Sequence, residues 1–470
     1  GLVGSEMCIR DRIRPPNQCA CQFYQNPLLG LSPVVQSSAE GTVQIYVGSL
    51  GCKLNQSEMD ALASQLSEAG HQIVSAPAEA SLCVLNTCAV THVAAQKTRQ
   101  ALRRMHRDNP SARLVVTGCY AELTPADLQD LPGVELVAGN QAKNHLADLI
   151  DPGRPVLAPP SPVSSLQPPL SSPRTRALVK IQDGCDNACT YCIIHVARGP
   201  QHSRPPDQVL ADVQARLDAG HREVVLTGVH IGAYGRDRAG GRPAMDLWGL
   251  VARILAETSV PRLRLSSVEP WDLPQHALHL WEDPRLCRHL HLPLQSGSDA
   301  ILRRMARRCG KNDFAEIAEA ARAAIPGLAL TTDVIVGFPG ETEEEFVESL
   351  EFVRRMGFAR THVFPYSLRP GTPAATMRDQ VPAPIKRERA KAMRTLASVL
   401  DRAFRQQFVG QTMRVLWESP IPGKPGPVWR GLTDNYLRIE VASTADLSNR
   451  ETEVQLVALT ENGLRGQIEF

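Results

Sequence analysis

The sequence predicts an α/β protein of three parts: an N-terminal doubly wound parallel-sheet domain, a central partial (β/α)6 barrel and a C-terminal small β-barrel. Three observations predict it. Strand and helix patterns alternate from about residue 42 to 405, which calls for parallel sheets covered by helices. Cysteines and glycines recur just past the carboxyl ends of those strands, the edge at which open parallel sheets bind ligands. After residue 405 the helical period gives way to short β runs with Gly and Asn turns, the pattern of a small barrel.

With 470 residues, the chain has room for about two to four domains. Its apolar fraction of 43% and charged fraction of 21% suit a globular protein. A net charge of +2 excludes a global field for nucleic acid or membrane, so local patches must supply any such affinity. Twelve cysteines are too few for a disulfide scaffold at this length, which points to a reducing cytoplasm. No apolar run reaches the roughly 18 residues a membrane span needs. Gly1 to Arg12 lacks an initiator methionine and resembles translated adapter read-through. Residues 1–41 show no periodicity and are set apart as an artefactual or disordered leader; Cys8, Cys19 and Cys21 go with them.

In the first domain, 42–150, strands are expected over 43–47, 82–85, 114–117 and 134–138. The helix after the first carries the stripe Met59, Leu62, Leu66 and Ala69. Cys52, Cys88 and Cys119 each follow a strand, so three distant thiols converge on one crevice. On the residues alone, a second metal cluster and coincidental core cysteines stand level. Cys83 lies inside a strand and reads as packing. The helix after Cys88 is basic, with six Lys or Arg and one acid between Lys97 and Arg113. A phosphate contact and a plain solvated face both account for it.

Residues 151–175 are crowded with Pro and Ser and form a linker. In the central domain, 176–405, strands are expected over 178–181, 223–226, 262–266, 288–292, 328–336 and 360–364. Helical stripes such as Val209, Val213 and Leu217, or Leu247, Leu250, Val251 and Ile254, separate them. Cys185, Cys189 and Cys192 fall within eight residues after the first strand. Three thiolates on so short a loop can hold three irons of a cubane and leave the fourth open to a ligand. The alternatives are a zinc knuckle with His195 as fourth ligand, or three structural thiols. Polar strand-end groups ring the same edge. His230 and His291 read as hydrogen-bonded pocket or core histidines, and Cys287 and Cys309 as incidental thiols. Two basic stretches, Arg303 to Lys311 and Arg378 to Arg405, offer phosphate contacts.

In the last domain, 406–470, strands are expected over 412–417, 426–431, 436–441, 453–459 and 463–470. It holds six Lys or Arg against eight acids. RNA would need a local face, with Arg414, Trp417, Arg430, Tyr436 and Arg438 as candidates; otherwise the barrel braces the central domain.

The Cys185–Cys192 loop, with Tyr191 before its third cysteine, resembles the signature of radical S-adenosylmethionine (SAM) enzymes. Joined to Gly51-Cys52-Lys53-Leu54-Asn55, Asn86-Thr87-Cys88 and Gly118-Cys119, it resembles the methylthiotransferases. The resemblance covers residues 42–470. It implies two [4Fe-4S] clusters, one on Cys185, Cys189 and Cys192, the other on Cys52, Cys88 and Cys119. It implies SAM contacts from Tyr191, Gly228, Ser267, Glu269, Gln295 and Gly337. The last domain resembles the TRAM module, which gives Arg430 and Arg438 as substrate contacts. Lys53 resembles the branch acting on N6-threonylcarbamoyladenosine at position 37 of tRNA, where a cation suits the threonine carboxylate. The implied partners are a tRNA anticodon stem-loop and a donor such as flavodoxin or ferredoxin, with the chain a monomer. Rival readings are methylthiolation of N6-isopentenyladenosine or of a ribosomal-protein aspartate, and a non-catalytic iron–sulfur RNA-binding redox sensor. The sequence departs from the family at Ile194-His195-Val196 and at Cys309.

Overall fold

The computed structural model describes residues 42–151, 175–237, 245–422 and 426–468. The leader, and all but the two ends of the linker, lie outside the described residues. In the first domain β1 (Gln44–Ser49), β2 (Gln72–Val74), β3 (Leu82–Thr87), β4 (Arg113–Gly118) and β5 (Val134–Ala138) form one parallel sheet. Its order is β2-β1-β3-β4-β5. β3 is buried along its whole length because both of its faces are covered. Leu82 and Val84 face one core with Met59, Leu62 and Leu66 of α1 (Lys53–Glu68). Cys83 and Leu85 face the other with Leu102 and Met105 of α2 (His92–Asp108). The chain thus changes faces between neighbouring β1 and β3. That reversal opens a crevice at their carboxyl ends, where Cys52 and Cys88 lie.

The central domain contains β6 (Arg176–Lys180), a short hairpin of β7 (Gln182–Asp183) and β8 (His202–Ser203), then β9 (Glu223–Thr227), β10 (Arg262–Leu265), β11 (His289–His291), β12 (Ala329–Val336) and β13 (Arg360–Pro365). β6-β9-β10 and β11-β12-β13 are parallel sheets. Parallel bridges Leu263–Leu286 and Ser267–His291 join them into six strands in chain order. Among the described residues β6 and β13 do not pair, so the barrel stays open there. The first domain lies along that side: Ser57 Oγ of α1 donates to the Leu178 carbonyl of β6 at 3.1 Å. The expected stripes Val209/Val213 and Leu247/Leu250/Val251/Ile254 are buried in one core with Val224, Leu226, Leu263 and Leu290.

β14 (Thr412–Pro420), β15 (Val428–Thr433), β16 (Arg438–Ala442), β17 (Glu451–Leu459) and β18 (Leu464–Gln467) close into a barrel in the order β14-β15-β16-β18-β17. Closure leaves no edge exposed. One expectation for this barrel is corrected. Trp417 is fully buried in its core, with Nε1 donating to Thr452 Oγ1 at 2.8 Å, so no base stacks on it. The Tyr436 ring lies 4.3 Å from the Arg264 guanidinium, and its hydroxyl accepts from Arg176 at 2.9 Å. Bracing dominates at this contact. Glu223, fully buried at the start of β9, binds Arg262 and Arg264 at 2.9 and 2.7 Å. Those arginines reach barrel carbonyls, Arg262 that of Leu432 at 3.2 Å and Arg264 that of Asp434 at 2.7 Å. No helix among the described residues is long and apolar enough to cross a membrane.

Candidate active site

Cys52 caps α1, Cys88 follows β3 and Cys119 opens the short helix Cys119–Leu123 after β4. Gly51 has a φ of +118°, and a Cβ there would sit 2.7 Å from that of Cys88, so only glycine lets the two strand ends come this close. Asn55 ties the loops together: its Nδ2 donates to the carbonyls of Leu50 at 3.0 Å and Thr87 at 3.1 Å. Asn140 Nδ2 reaches Cys119 Sγ at 3.7 Å. Burial pushes the Cys88 thiol up to about 11, and the neighbouring Cys52 and Cys119 sulfurs add to the rise. Three sulfurs thus share one crevice, and Cys88 holds its proton unless a cation joins it.

The second trio sits on the loop after β7. Gly184 has a φ of +67°, and a Cβ there would collide with the Pro200 carbonyl. Thr190 pins the loop to the far wall: its amide donates to Met305 O at 3.1 Å and its hydroxyl to Arg304 O at 2.8 Å. Burial pushes Cys192 up to about 12, with Cys189 and Cys185 contributing. A bound metal reverses this, since a coordinating thiol loses its proton outright. The donor set therefore fits a thiolate-held cluster at both places. His195 Nδ1 is buried without a hydrogen-bond partner, but no contact of His195 with this trio is recorded among the described residues. Gly184→Ala is expected to distort the loop and lower bound iron in reconstituted protein, measured by metal analysis.

Around this loop lie His230 and Glu269, which the sequence singles out, paired with Asp272 and Arg307, which it does not place in the site. His230 Nε2 is 2.6 Å from Asp272 Oδ2, and its Nδ1 is 3.9 Å from Cys185 Sγ. Burial opposes charge on His230, yet Asp272 and Cys185 outweigh it and carry its pKa up to about 9. Arg307 donates to Glu269 at 2.5 and 3.1 Å, lies 3.9 Å from Cys189 Sγ and stacks on Trp271 at 4.6 Å. Arg307 had read as part of an RNA-binding stretch. Its partner is internal instead, as is that of Arg304, which pairs with Glu345 at 2.5 Å, so these two arginines offer RNA little free charge. The only signal in the sequence was two charged residues whose pairing a linear pattern cannot show.

Of the expected cofactor contacts, Gly228 and Ser267 line a cavity of about 560 Å3. Cys52, Lys53, Thr227, His291 and Arg438 line it too. Glu269 lies beside the cysteine loop through Arg307, and Tyr191, within the loop, packs with Ile301, Met305 and Phe338. Gln295, at a φ of +70°, bridges to Val334. Gly337 is enclosed by Lys386, and its amide donates to Glu341 at 2.6 Å. Neither is among the cavity-lining residues. Arg430 is exposed on the barrel. His291 is hydrogen-bonded to Thr331 Oγ1 at 2.9 Å, as its pocket reading expects.

Residues 179–353 match the Radical SAM superfamily, and 44–139 match the uncharacterized protein family UPF0004. The "Threonylcarbamoyladenosine tRNA methylthiotransferase MtaB" of Bacillus subtilis is 38% identical over 87% of this chain and 92% of its own. The chain belongs to the radical SAM methylthiotransferases. A Thermotoga maritima protein of the same name is 36% identical over 80% of this chain and 86% of its own length. The "tRNA-2-methylthio-N(6)-dimethylallyladenosine synthase" of Maricaulis maris is 33% identical over 90% and 97%. In fold, the methylthiotransferase is similar to the radical SAM methyltransferase TsrM of Kitasatospora setae, with a TM-score of 0.52 at 15% identity, over 71% of this chain and 77% of that one. Membership implies a [4Fe-4S] cluster and SAM.

Proposed function

We propose that the enzyme inserts a methylthio group at C2 of N6-threonylcarbamoyladenosine at position 37 of tRNA, using two [4Fe-4S] clusters. One is held by Cys185, Cys189 and Cys192, the other by Cys52, Cys88 and Cys119. The observation that carries this reading is the shared cavity. Cys52 and Lys53 of the first domain and the strand-end residues Thr227, Gly228 and Ser267 of the barrel line one space. Its volume, about 560 Å3, suits a ligand the size of a modified nucleoside.

When bound, the loop cluster supplies an electron to SAM and so a carbon radical able to abstract hydrogen, while the other cluster carries the sulfur. The chain's own residues do the positioning. Gly228 and Ser267 present small groups where SAM would lie. The Glu269–Arg307 pair fixes the wall beside Cys189, and the Asp272–His230 pair the wall beside Cys185. At the open side of the barrel α1 packs against β6, so the first domain forms one wall of the site. The substrate base has to be unstacked to enter, as bases of a single-stranded anticodon loop are. A flavodoxin or ferredoxin would deliver the electron in the cytoplasm.

The names of the relatives at 38% and 36% identity support threonylcarbamoyladenosine. Isopentenyladenosine is the second reading, favoured by the name of the relative at 33%. Lys53 in the cavity favours the first, because an isoprenoid brings no charge for it to meet. Nucleosides of a bacterial strain lacking its own enzyme, complemented with this gene, decide between them. Mass spectrometry is expected to find the 2-methylthio form of threonylcarbamoyladenosine; the 2-methylthio isopentenyl form alone would overturn the proposal.

A further inference from the structure

Four cationic side chains line the cavity, Lys53, Arg360, Arg405 and Arg438, against two carboxylates, Asp333 and Asp401. The carboxylates are already engaged. Asp401 binds Arg405 at 2.8 Å, and Arg405 also donates to the carbonyls of Thr460 and Gly463 at 2.9 and 2.8 Å. Asp333 lies 3.3 Å from His291 Nε2. Arg360 reaches no acid closer than Asp401, at 3.9 Å. Lys53 has only the Tyr436 ring, 5.8 Å away, and neither it nor Arg438 has a carboxylate partner among the described residues.

Two of these cations also feel one another. Burial lowers the pKa of Arg438, and Arg360 and Arg430 lower it further, against a weaker opposing pull from Glu418 and Tyr436. Burial pushes His362 down; Asp333 opposes this, while His291, Arg360 and Lys53 add to it. His291, Asp333 and His362 do present donor atoms within 4.8 Å of one another. The surrounding positive field disfavours a cation there and leaves His362 a neutral hydrogen-bonding group. Unpaired like charges in a partly dry cavity are costly unless an anion joins them.

We propose that Lys53, Arg360 and Arg438, one from each of the three structural units, form an oxyanion site that receives the carboxylate of the amino-acid group carried by the substrate base. This rests on the threonylcarbamoyladenosine reading and deepens it. Arg360 supplies planar donors suited to a carboxylate, and Lys53, next to Cys52, sets the depth of the base. The C-terminal barrel is then part of the substrate wall, through Arg438, and not a remote RNA handle.

The test measures binding of the full chain to fluorescent anticodon stem-loops by anisotropy, with no chemistry required. Three probes differ only at position 37: threonylcarbamoyladenosine, its neutral methyl ester and adenosine. Wild type is expected to favour the free acid over the ester by on the order of 10- to 100-fold. Arg360→Met and Lys53→Gln are expected to erase that preference by weakening the free-acid probe more than the ester or adenosine probes, while Arg360→Lys keeps part of it. Preference retained in both neutral variants overturns the inference. So does an equal loss for all three probes, which would assign the cations to backbone phosphate. If wild type methylthiolates threonylcarbamoyladenosine while binding acid and ester alike, the anion site fails and the function stands. If wild type neither discriminates nor methylthiolates that base, the function itself fails.

Discussion

Cys189→Ser should form no 5′-deoxyadenosine from SAM, whereas Cys88→Ser should still form it and yet transfer no methylthio group. Both cysteines are buried, and serine is of similar size, so neither chain should unfold. The difference arises from where they sit. Cys189 shares its loop with Cys185 and Cys192, and Arg307 stands 3.9 Å from its sulfur. Cys88 lies in the first domain, beside Gly51. Iron should fall from about eight to about four per chain in each single variant after anaerobic reconstitution. Chromatography of the SAM products and mass spectrometry of the tRNA read the two activities separately. If Cys88→Ser also stopped SAM cleavage, the two trios could not be independent sites. If it kept all its iron, the assignment of Cys88 would fall.

The strand ends were legible before any coordinates because period and punctuation coincide there. Asn86-Thr87-Cys88 closes a strand buried on both faces, and Gly118-Cys119 closes another. In both cases the local pattern alone fixes where the side chain emerges. β2 escaped notice because three residues at a sheet edge carry no period. Trp417 was misjudged for a different reason. An aromatic in a short β run faces either solvent or core, and only barrel closure decides which. The cavity's charge balance was equally hidden. Lys53, Arg360 and Arg438 lie far apart in the chain, and although the i,i+4 spacing of Asp401 and Arg405 hints at their pairing, nothing local tells that the other three cations meet. What sequence reads well is therefore the site's metal-binding chemistry, carried by short motifs; what it reads poorly is the wall, assembled from three units.

The same limit hid the group expected to matter most for how the two halves meet. Glu58 of α1 binds Lys143 at 2.5 Å, Lys180 at 3.1 Å and Arg198 at 2.9 Å, and its side chain is only 7% exposed. Arg198 also binds Asp183 at 2.8 Å, and Asn86 donates to Glu58 at 3.0 Å. Glu58 and Lys143 belong to the first domain, Lys180 and Arg198 to the central one, so this buried network fixes one against the other. Burial works against charge on Glu58, but Lys143, Arg198 and Lys180 outweigh it and hold the carboxyl well below its ordinary 4.5. Glu58→Ala strands three cations with only Asp183 left to meet them, a loss of about 3–5 kcal/mol. Calorimetry at neutral pH should show that loss as a lower unfolding temperature. The pH dependence follows from the sign of the shift. A depressed carboxyl stabilises the fold above its unfolded pKa and loses that effect as pH falls through the lower folded value. Wild type should therefore lose stability below about 4.5 more steeply than Glu58→Ala does. Function should respond in a separable way. With the domain contact loosened, SAM cleavage at the loop should persist while methylthio transfer falls further, because only the second step needs Cys52 and Gly228 on the same cavity. Equal loss of both activities would mean that Glu58 supports the cysteine loop through Arg198 and not the approach of the two domains.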